Sequence, residues 1–557
     1  MRTNSSNRSY FHIVYNQEVK AVAENEILLD SDRGHVIHRA RLTGCVYDEE
    51  IIALLHNCKG FRKLVHSIGI EINRKNHVED DTIVRLEVWN KANPPESITR
   101  VEAQCLSTEK ETIIPLEDVE WSEEDDRLSK FVFSFEKSDA VTEVSVKLYL
   151  HDAYVVPEIS MEPVDFHSNN YHQLIKQSLV RTGNNYRVKK AIEKAKSGED
   201  VTIAYIGGSI TQGASANPIQ ENCYAYQSYE RFKQLFGSEN GNHIHYVKAG
   251  VGGTPSQLGV IRYERDICSD GLIEPDIVIV EFGVNDGDDE TKGVSYESLV
   301  LKILAHQKKT AVILLFNVFV NDWNLQDRLQ IIGEHYDLPI VSIKNAVVDQ
   351  FRLTKAEGNV INKRQFFHDI YHPTNEGHQI IAESLHYLWT QIDKQEWSEE
   401  DLELDKAPVY GNAFSNIRLL DRKEISDIAV IEEGSFVEVD TELQCVERDT
   451  DNELTPQFPH NWMRTKETGN HSFRMTITSR NLMLVFKDSD KPIFGTAEVY
   501  VDGERLKTLD PHQVNWTHCH ATLLYNNETS EQHEMEIKMQ EGDEDKQFTI
   551  LGFGYTP

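Results

Sequence analysis

Long apolar runs are missing from this 557-residue chain. No stretch of about 18 consecutive apolar residues occurs, so no segment reads as a membrane-spanning helix. Positive charge is scarce, with 57 lysines and arginines against 91 acidic residues and a net charge of −34. A field of that sign repels phosphate backbones and anionic lipid, which argues against nucleic acid and membrane surfaces as partners. Cysteine is sparse too. The seven residues (Cys45, Cys58, Cys105, Cys223, Cys268, Cys445 and Cys519) are far apart, odd in number and free of any CxxC pair. Neither a zinc ribbon nor a disulfide framework is supported. The first twenty residues, MRTNSSNRSYFHIVYNQEVK, carry no apolar stretch of signal-peptide type, and a reducing cytoplasm is the expected location.

What is present divides the chain into three expected domains, because 557 residues exceed one hydrophobic core. Residues 1–168 read as β. Lys130–Phe135 and Thr142–Leu150 alternate between apolar and polar, and Thr82–Trp89 does so in part, separated by acidic, turn-prone stretches such as Glu117–Asp126. An antiparallel sandwich of jelly-roll type is expected there, serving either to bind carbohydrate or to pack and dimerise. Residues 396–557 follow a charged linker, Lys394–Lys406, and are again β-rich. Met475–Ile477, Leu482–Phe486, Thr496–Val501 and Phe548–Leu551 are strand-like, and Val501-Asp502-Gly503-Glu504 reads as a hairpin turn. A second sandwich is expected. Trp516, His518 and His520 in it either line a sugar site or simply pack.

Between them, residues 169–395 change period. Apolar strands at Val201–Ile206, His245–Ala249, Ile277–Phe282, Ala311–Val318 and Ile340–Ile343 alternate with helical stretches. The helical stretches are Tyr186–Lys196, Tyr224–Phe236, Ser295–Gln307, Leu325–Tyr336 and Gly377–Trp389. The pattern predicts an α/β three-layer domain of flavodoxin-like type, with a parallel sheet covered on both faces. The order of its strands is not readable.

Polar groups fall at the carboxyl ends of those strands, where open α/β sheets bind ligands. The first strand runs into Gly207-Gly208-Ser209, the second into Gly250-Val251-Gly252-Gly253-Thr254, and the third into Gly283-Val284-Asn285-Asp286. His368-Asp369-Ile370-Tyr371-His372-Pro373 precedes the last helix. Cleaving an ester needs a nucleophile, a base and fixed donors for the developing oxyanion. Ser209 is a nucleophile once His372 takes its proton, and Asp369 is placed to orient that imidazole. The backbone N–H groups of Ser209 and Gly253, with the side-chain amide of Asn285, can form the oxyanion hole. The spacing GGSITQG departs from GxSxG, which excludes the usual α/β-hydrolase elbow.

The blocks GGSIT, AGVGGT, GVND and DIYHP together resemble those of the SGNH (GDSL-type) hydrolases, a likeness that covers the central region. It implies Ser209 as nucleophile, Gly253 and Asn285 as oxyanion donors, and Asp369 with His372 as the rest of the triad. One position departs: the aspartate that usually precedes the serine is Gly208 here, so hydrogen bonding around Ser209 must differ. The stretches AGVGGTPSQLGVIRYERDI and PDIVIVEFGVND are further similar to multidomain bacterial carbohydrate acetylesterases. That likeness implies removal of acetyl groups from plant-type xylan or mannan oligosaccharides or polysaccharides, without cofactor or metal.

Other residues carry two readings. Arg262, with Glu264, Arg265 and Asp266, either braces the strand ends through ion pairs or touches substrate. Trp323 either stacks on a sugar face or packs within its loop. Asp286, Asp288, Asp289 and Glu290 match no calcium loop, and His372 is better explained as a base than as a metal ligand alongside His368. The alternatives to a carbohydrate esterase are a lipid esterase or thioesterase on the same domain, an acetyltransferase, and a non-catalytic carbohydrate-binding protein. Two flanking sandwiches also make a homo-oligomer a reasonable expectation.

Overall fold

A computed structural model of the chain describes residues 8–21, 25–29, 49–92, 96–155, 163–287, 289–423, 428–446, 455–514 and 516–557. Cys45 and Asp288 lie outside them. The chain forms two compact units. One comprises Met1–Phe166 with Phe319–Asn321 and Asp349–Tyr371; the other comprises His167–Val318, Asp322–Val348 and His372–Pro557. Among the described residues no helix is long and apolar enough to cross a membrane.

The first unit is built on eight strands: β1 (Tyr10–Lys20), β2 (Glu26–Leu28), β3 (Val65–Arg74), β4 (Thr82–Trp89), β5 (Ser97–Cys105), β6 (Thr112–Pro115), β7 (Arg127–Phe135) and β8 (Val141–Leu150). They pair antiparallel in two four-stranded sheets, ordered β1-β8-β3-β6 and β2-β7-β4-β5. Alternating side chains place Phe11, Ile68 and Val146 from one sheet in the same buried cluster as Val84, Leu86 and Phe131 from the other. This two-layered β architecture is the one the period-2 pattern calls for.

In the second unit, β9 (Leu179–Arg181), β10 (Val201–Gly207), β11 (Ile244–Gly250), β12 (Ile277–Glu281), β13 (Ala311–Phe316) and β14 (Ile340–Ser342) form one sheet in the order β11-β10-β12-β13-β14-β9. All neighbours are parallel except β9, which runs antiparallel at the edge. Every residue of β12 and β13 is buried, which is why these strands read as unbroken apolar runs rather than alternating ones. The helices fall close to their expected positions, at Tyr186–Ser197, Tyr224–Phe236, Val294–Leu304, Gln326–His335 and Asn375–Lys394. A further helix, Ser256–Asp266, was not anticipated. Its residues Ser256 through Tyr263 are all buried, so it shows no one-sided apolar stripe for a sequence reading to find.

The remaining strands are β15 (Arg418–Leu420), β16 (Ala429–Glu432), β17 (Cys445–Val446), β18 (Thr455–Pro456), β19 (Trp462–Arg464), β20 (Phe473–Asp488), β21 (Ala497–Val501), β22 (Glu504–Leu509), β23 (His518–Met539) and β24 (Phe548–Thr556). All but the small β17–β18 pair belong to one eight-stranded antiparallel sheet. Its two expected segments, 475–477 and 482–486, are one strand, β20, with an irregular register near Ser479–Asn481. The β21–β22 turn has positive φ at both central residues, Asp502 at 52° and Gly503 at 80°, which fits the two-residue hairpin that the sequence suggests.

A single buried carboxylate ties the segment leading into this sheet to the α/β domain. Glu297, on the helix Val294–Leu304, accepts the N–H groups of Val409 at 2.7 Å, Tyr410 at 2.6 Å and Gly411 at 2.9 Å, and the Tyr336 hydroxyl at 2.8 Å. Glu297→Ala leaves those donors without their acceptor. The expected cost is about 3–5 kcal/mol by denaturant unfolding; a loss below about 1 kcal/mol would show that the anchor is dispensable.

Candidate active site

The strand order 2-1-3-4-5 formed by β11, β10, β12, β13 and β14 reverses direction between β10 and β12. Open sheets bind ligands at that reversal, beyond the carboxyl ends of the strands. Ser209 stands immediately after β10 and Asn285 four residues after β12, so the topology delivers both to one place.

Ser209 is the first residue of a short helix, Ser209–Gln212. Its N–H has no partner within that helix, as for any first-turn donor. Ser209 Oγ lies 2.9 Å from His372 Nε2, within proton-sharing reach. The Asn285 carboxamide packs against Gly208 so closely that a Cβ at 208 would fall 2.3 Å from its Oδ1 and 2.8 Å from its Nδ2. A side chain at 208 would therefore have to displace this amide. Gly253 takes a left-handed φ of +68°, a conformation that favours glycine. Ser209, His372, Asn285 and Gly253 all belong to the second unit. Asp369 belongs to the first, where its Oδ1 accepts the Tyr371 N–H at 2.7 Å.

Beneath Ser209 lies a buried polar network that the sequence reading missed. The Thr211 hydroxyl donates to Glu281 Oε2 at 2.9 Å and lies 2.8 Å from the Tyr224 hydroxyl. His378 holds the chain beyond the nucleophile: its Nδ1 accepts the Tyr224 N–H at 3.2 Å, so its Nε2–H donates to Ala214 O, also 3.2 Å away. Burial lowers the His378 pKa to about 4, in keeping with that neutral tautomer. Burial likewise pushes the Glu281 carboxyl up to about 7, against the hydrogen bond from Thr211. Asp286 is raised to about 7 by the same cause, against hydrogen bonds from the Ser256 N–H and hydroxyl. The T of GGSIT and the E of EFGVND were the only sequence signals for this layer.

Arg262 is not a substrate contact. It is fully buried, and its guanidinium donates to Ala249 O at 2.8 Å, Gly207 O at 3.0 Å and the Asp266 carboxylate at 3.1 Å. It ties the ends of β10 and β11 together, the bracing reading of the two. Trp323 is 36% exposed, and its ring packs beside Gly287. Asp289 accepts the Thr291 and Gly293 N–H groups, forming a turn rather than a cation loop.

The C-terminal sheet reaches the same corner. Gln444 Nε2 donates to Gly252 O at 2.7 Å, while its Oε1 accepts the Cys519 N–H at 3.0 Å. Trp516, 41% exposed, stands beside Gly253, where a Cβ would fall 3.0 Å from its Cζ2. The same position would fall 3.4 Å from His518 Nε2.

Residues 205–380 match the GDSL-like Lipase/Acylhydrolase family. This region is similar to the GDSL/SGNH hydrolases. The chain is similar to the crystal structure of a two-domain esterase (CEX) active on acetylated mannans, with 29% identity over 69% of this chain and 99% of that one, and a TM-score of 0.58. A second crystal structure of that esterase, co-crystallised with mannopentaose, matches at 29% identity, 69% and 98% coverage, and a TM-score of 0.58. No curated protein sequence matches the chain.

Two outcomes follow from this geometry. Gly208→Ala should lower kcat for an aryl acetate at least tenfold, with little change in folding, because the new methyl group displaces the Asn285 amide. Undiminished turnover would show that the amide's place does not matter. The second concerns pH. Glu281 and Asp286 have folded pKa values of about 7, above the ordinary 4.5 and 3.8. The native state therefore keeps protons that the unfolded chain has released, and this contribution to stability is lost as pH rises through about 7. Glu281→Gln cannot ionise, so its melting temperature should fall less than the wild type's between about pH 5 and pH 8. Parallel melting curves would exclude the shift.

Proposed function

We propose that the protein is a serine esterase that removes O-acetyl groups from carbohydrate through an acyl-Ser209 intermediate. The observation that carries this reading is the 2.9 Å approach of Ser209 Oγ to His372 Nε2 beside the Asn285 amide. His372 takes the Ser209 proton as the hydroxyl oxygen bonds to the acetyl carbonyl carbon. The resulting oxyanion is met by the Ser209 and Gly253 N–H groups and the Asn285 amide. When the carbon–oxygen bond to the sugar breaks, His372 returns the proton to the leaving hydroxyl. Water, deprotonated by the same imidazole, then attacks the acyl-enzyme; acetate leaves and Ser209 regains its proton. Asp369, three residues before His372 in the chain, is assigned the part of the orienting acid.

Acetylated mannan oligosaccharides are the favoured substrates. The likeness to the CEX esterase supports this choice, as does Trp516 beside Gly253, since an exposed indole gives a sugar ring an apolar face to stack on. Xylan oligosaccharides remain in the same class.

Ser209→Ala should lower turnover of acetylated mannan oligosaccharides by about 10³-fold or more while leaving the melting temperature near the wild type's. Retained turnover would end the serine mechanism. In parallel, acetate release from acetylated mannan and xylan oligosaccharides should exceed hydrolysis of long-chain acyl esters and thioesters. The opposite order would make the protein a lipid esterase or thioesterase, and acetyl transfer to added sugar in preference to water would make it a transferase.

A further inference from the structure

The C-terminal sheet carries a cluster of ligating side chains that ester cleavage does not use. His518 and His520 lie two residues apart on β23, so both side chains leave the same face of the strand. Asp488, the last residue of β20, is paired directly opposite His518 in the antiparallel register. Its side chain therefore leaves the sheet on that face too. The ligand atoms of the three residues all lie within 4.8 Å of one another.

The hydrogen bond between His518 and Asp488 is long for an imidazole–carboxylate pair. Asp488 Oδ2 is 3.4 Å from His518 Nδ1 and 3.5 Å from His520 Nδ1. A charge-assisted bond between imidazole and carboxylate normally closes to about 2.7–2.9 Å. Two donors each held about 2.0–2.1 Å from a tetrahedral zinc ion, by contrast, stand roughly 3.3–3.4 Å apart. The surroundings match as well. The Asp488 side chain is fully buried and that of His518 is 7% exposed, yet Asp488 Oδ1 and His518 Nε2 have no partner among the described residues. A buried carboxylate oxygen without a donor is costly unless something else satisfies its charge.

We propose that Asp488, His518 and His520 bind one divalent ion of zinc type, with Nδ1 of each histidine and a carboxylate oxygen as ligands. Water completes the fourth position beside His520, the most exposed of the three, with a side chain 31% exposed. Two nitrogens and one carboxylate oxygen suit a borderline ion and not calcium or magnesium, which take oxygen ligands. The ion has a structural consequence at the ester site. Ligation at Nδ1 leaves the His518 proton on Nε2, the atom that faces Gly253. The imidazole then presents a fixed donor to the oxyanion corner, and its ring, 4.7 Å from that of Trp516, holds the indole in place. This consequence rests on the esterase reading, whereas occupancy of the site does not.

Cobalt(II) titration of the full chain tests the site without reference to activity. After chelation and dialysis, the wild type should take up one equivalent of Co²⁺ and develop the intense visible absorption of a four-coordinate ion, which Zn²⁺ then displaces. Ser209→Ala should do the same. His520→Gln should weaken uptake at least tenfold, and its partly exposed position makes folding robust; an unchanged melting temperature confirms that. His518→Gln should abolish the spectrum. Failure of the wild type to bind Co²⁺, or binding that survives both histidine substitutions, overturns the proposal. Loss of activity in Ser209→Ala with Co²⁺ binding intact separates the metal site from the ester-cleaving reading.

Discussion

Close approach of one backbone segment to another is the constraint on which the ester-cleaving corner depends. The turn that presents Ser209 is pressed between two neighbouring strands at distances that leave no room for a side chain. A Cβ on Gly207 would fall 2.2 Å from Thr211 Oγ1 and 2.5 Å from Glu281 O. On Gly250 it would fall 2.0 Å from the Gln212 N. These glycines sit at the ends of β10 and β11, where Arg262 also ties Gly207 O to Ala249 O. Ser209 is thereby held by strand ends that cannot separate without breaking a fully buried arginine's hydrogen bonds, and such bonds are among the most expensive to lose. Rigidity of this kind holds the Ser209 oxygen 2.9 Å from the His372 imidazole before substrate arrives.

Much of this was legible in the sequence, for a physical reason. Buried parallel strands must be apolar on both faces, so Ile277–Glu281 and Ala311–Phe316 could be found within a residue or two. The fold rule then assigns function to whatever polar residues stand at their carboxyl ends, which singled out Ser209, Gly253 and Asn285. What escaped lacks periodicity. The three residues of β9 are too few to show one. The middle of β23, from Asn526 to Glu534, is polar and charged because solvent bathes it, so no apolar alternation marks it as strand. Arg262 illustrates a different limit: an arginine near a site can reach substrate or strand ends, and only burial distinguishes the two.

The C-terminal sheet belongs to the site's construction and not merely to its neighbourhood in sequence. Gln444 spans two segments with one carboxamide, donating to Gly252 O and accepting from the Cys519 N–H. Lys507 on β22 pairs with Glu290, just past the Asn285 turn, at 2.7 Å. Buried side chains of both regions, among them Ile261, Val485 and Leu551, share one apolar cluster. Trp516, held beside Gly253, adds an apolar wall at this corner.

Residue 208 is Gly208 where the resemblance implies an aspartate, so position 208 itself supplies no carboxyl group. With the Asn285 amide pressed against residue 208, the carboxyl that serves this turn comes from the neighbouring strand, as Glu281, and reaches it through Thr211. The change has an electrostatic consequence. A carboxylate directly behind the nucleophile would oppose the negative charge that develops on the substrate oxygen, and in a water-poor interior that opposition is poorly screened. Glu281 avoids it because full burial favours its neutral form up to about pH 7. The network beneath Ser209 can thus brace the turn through hydrogen bonds while adding little negative charge below about pH 7.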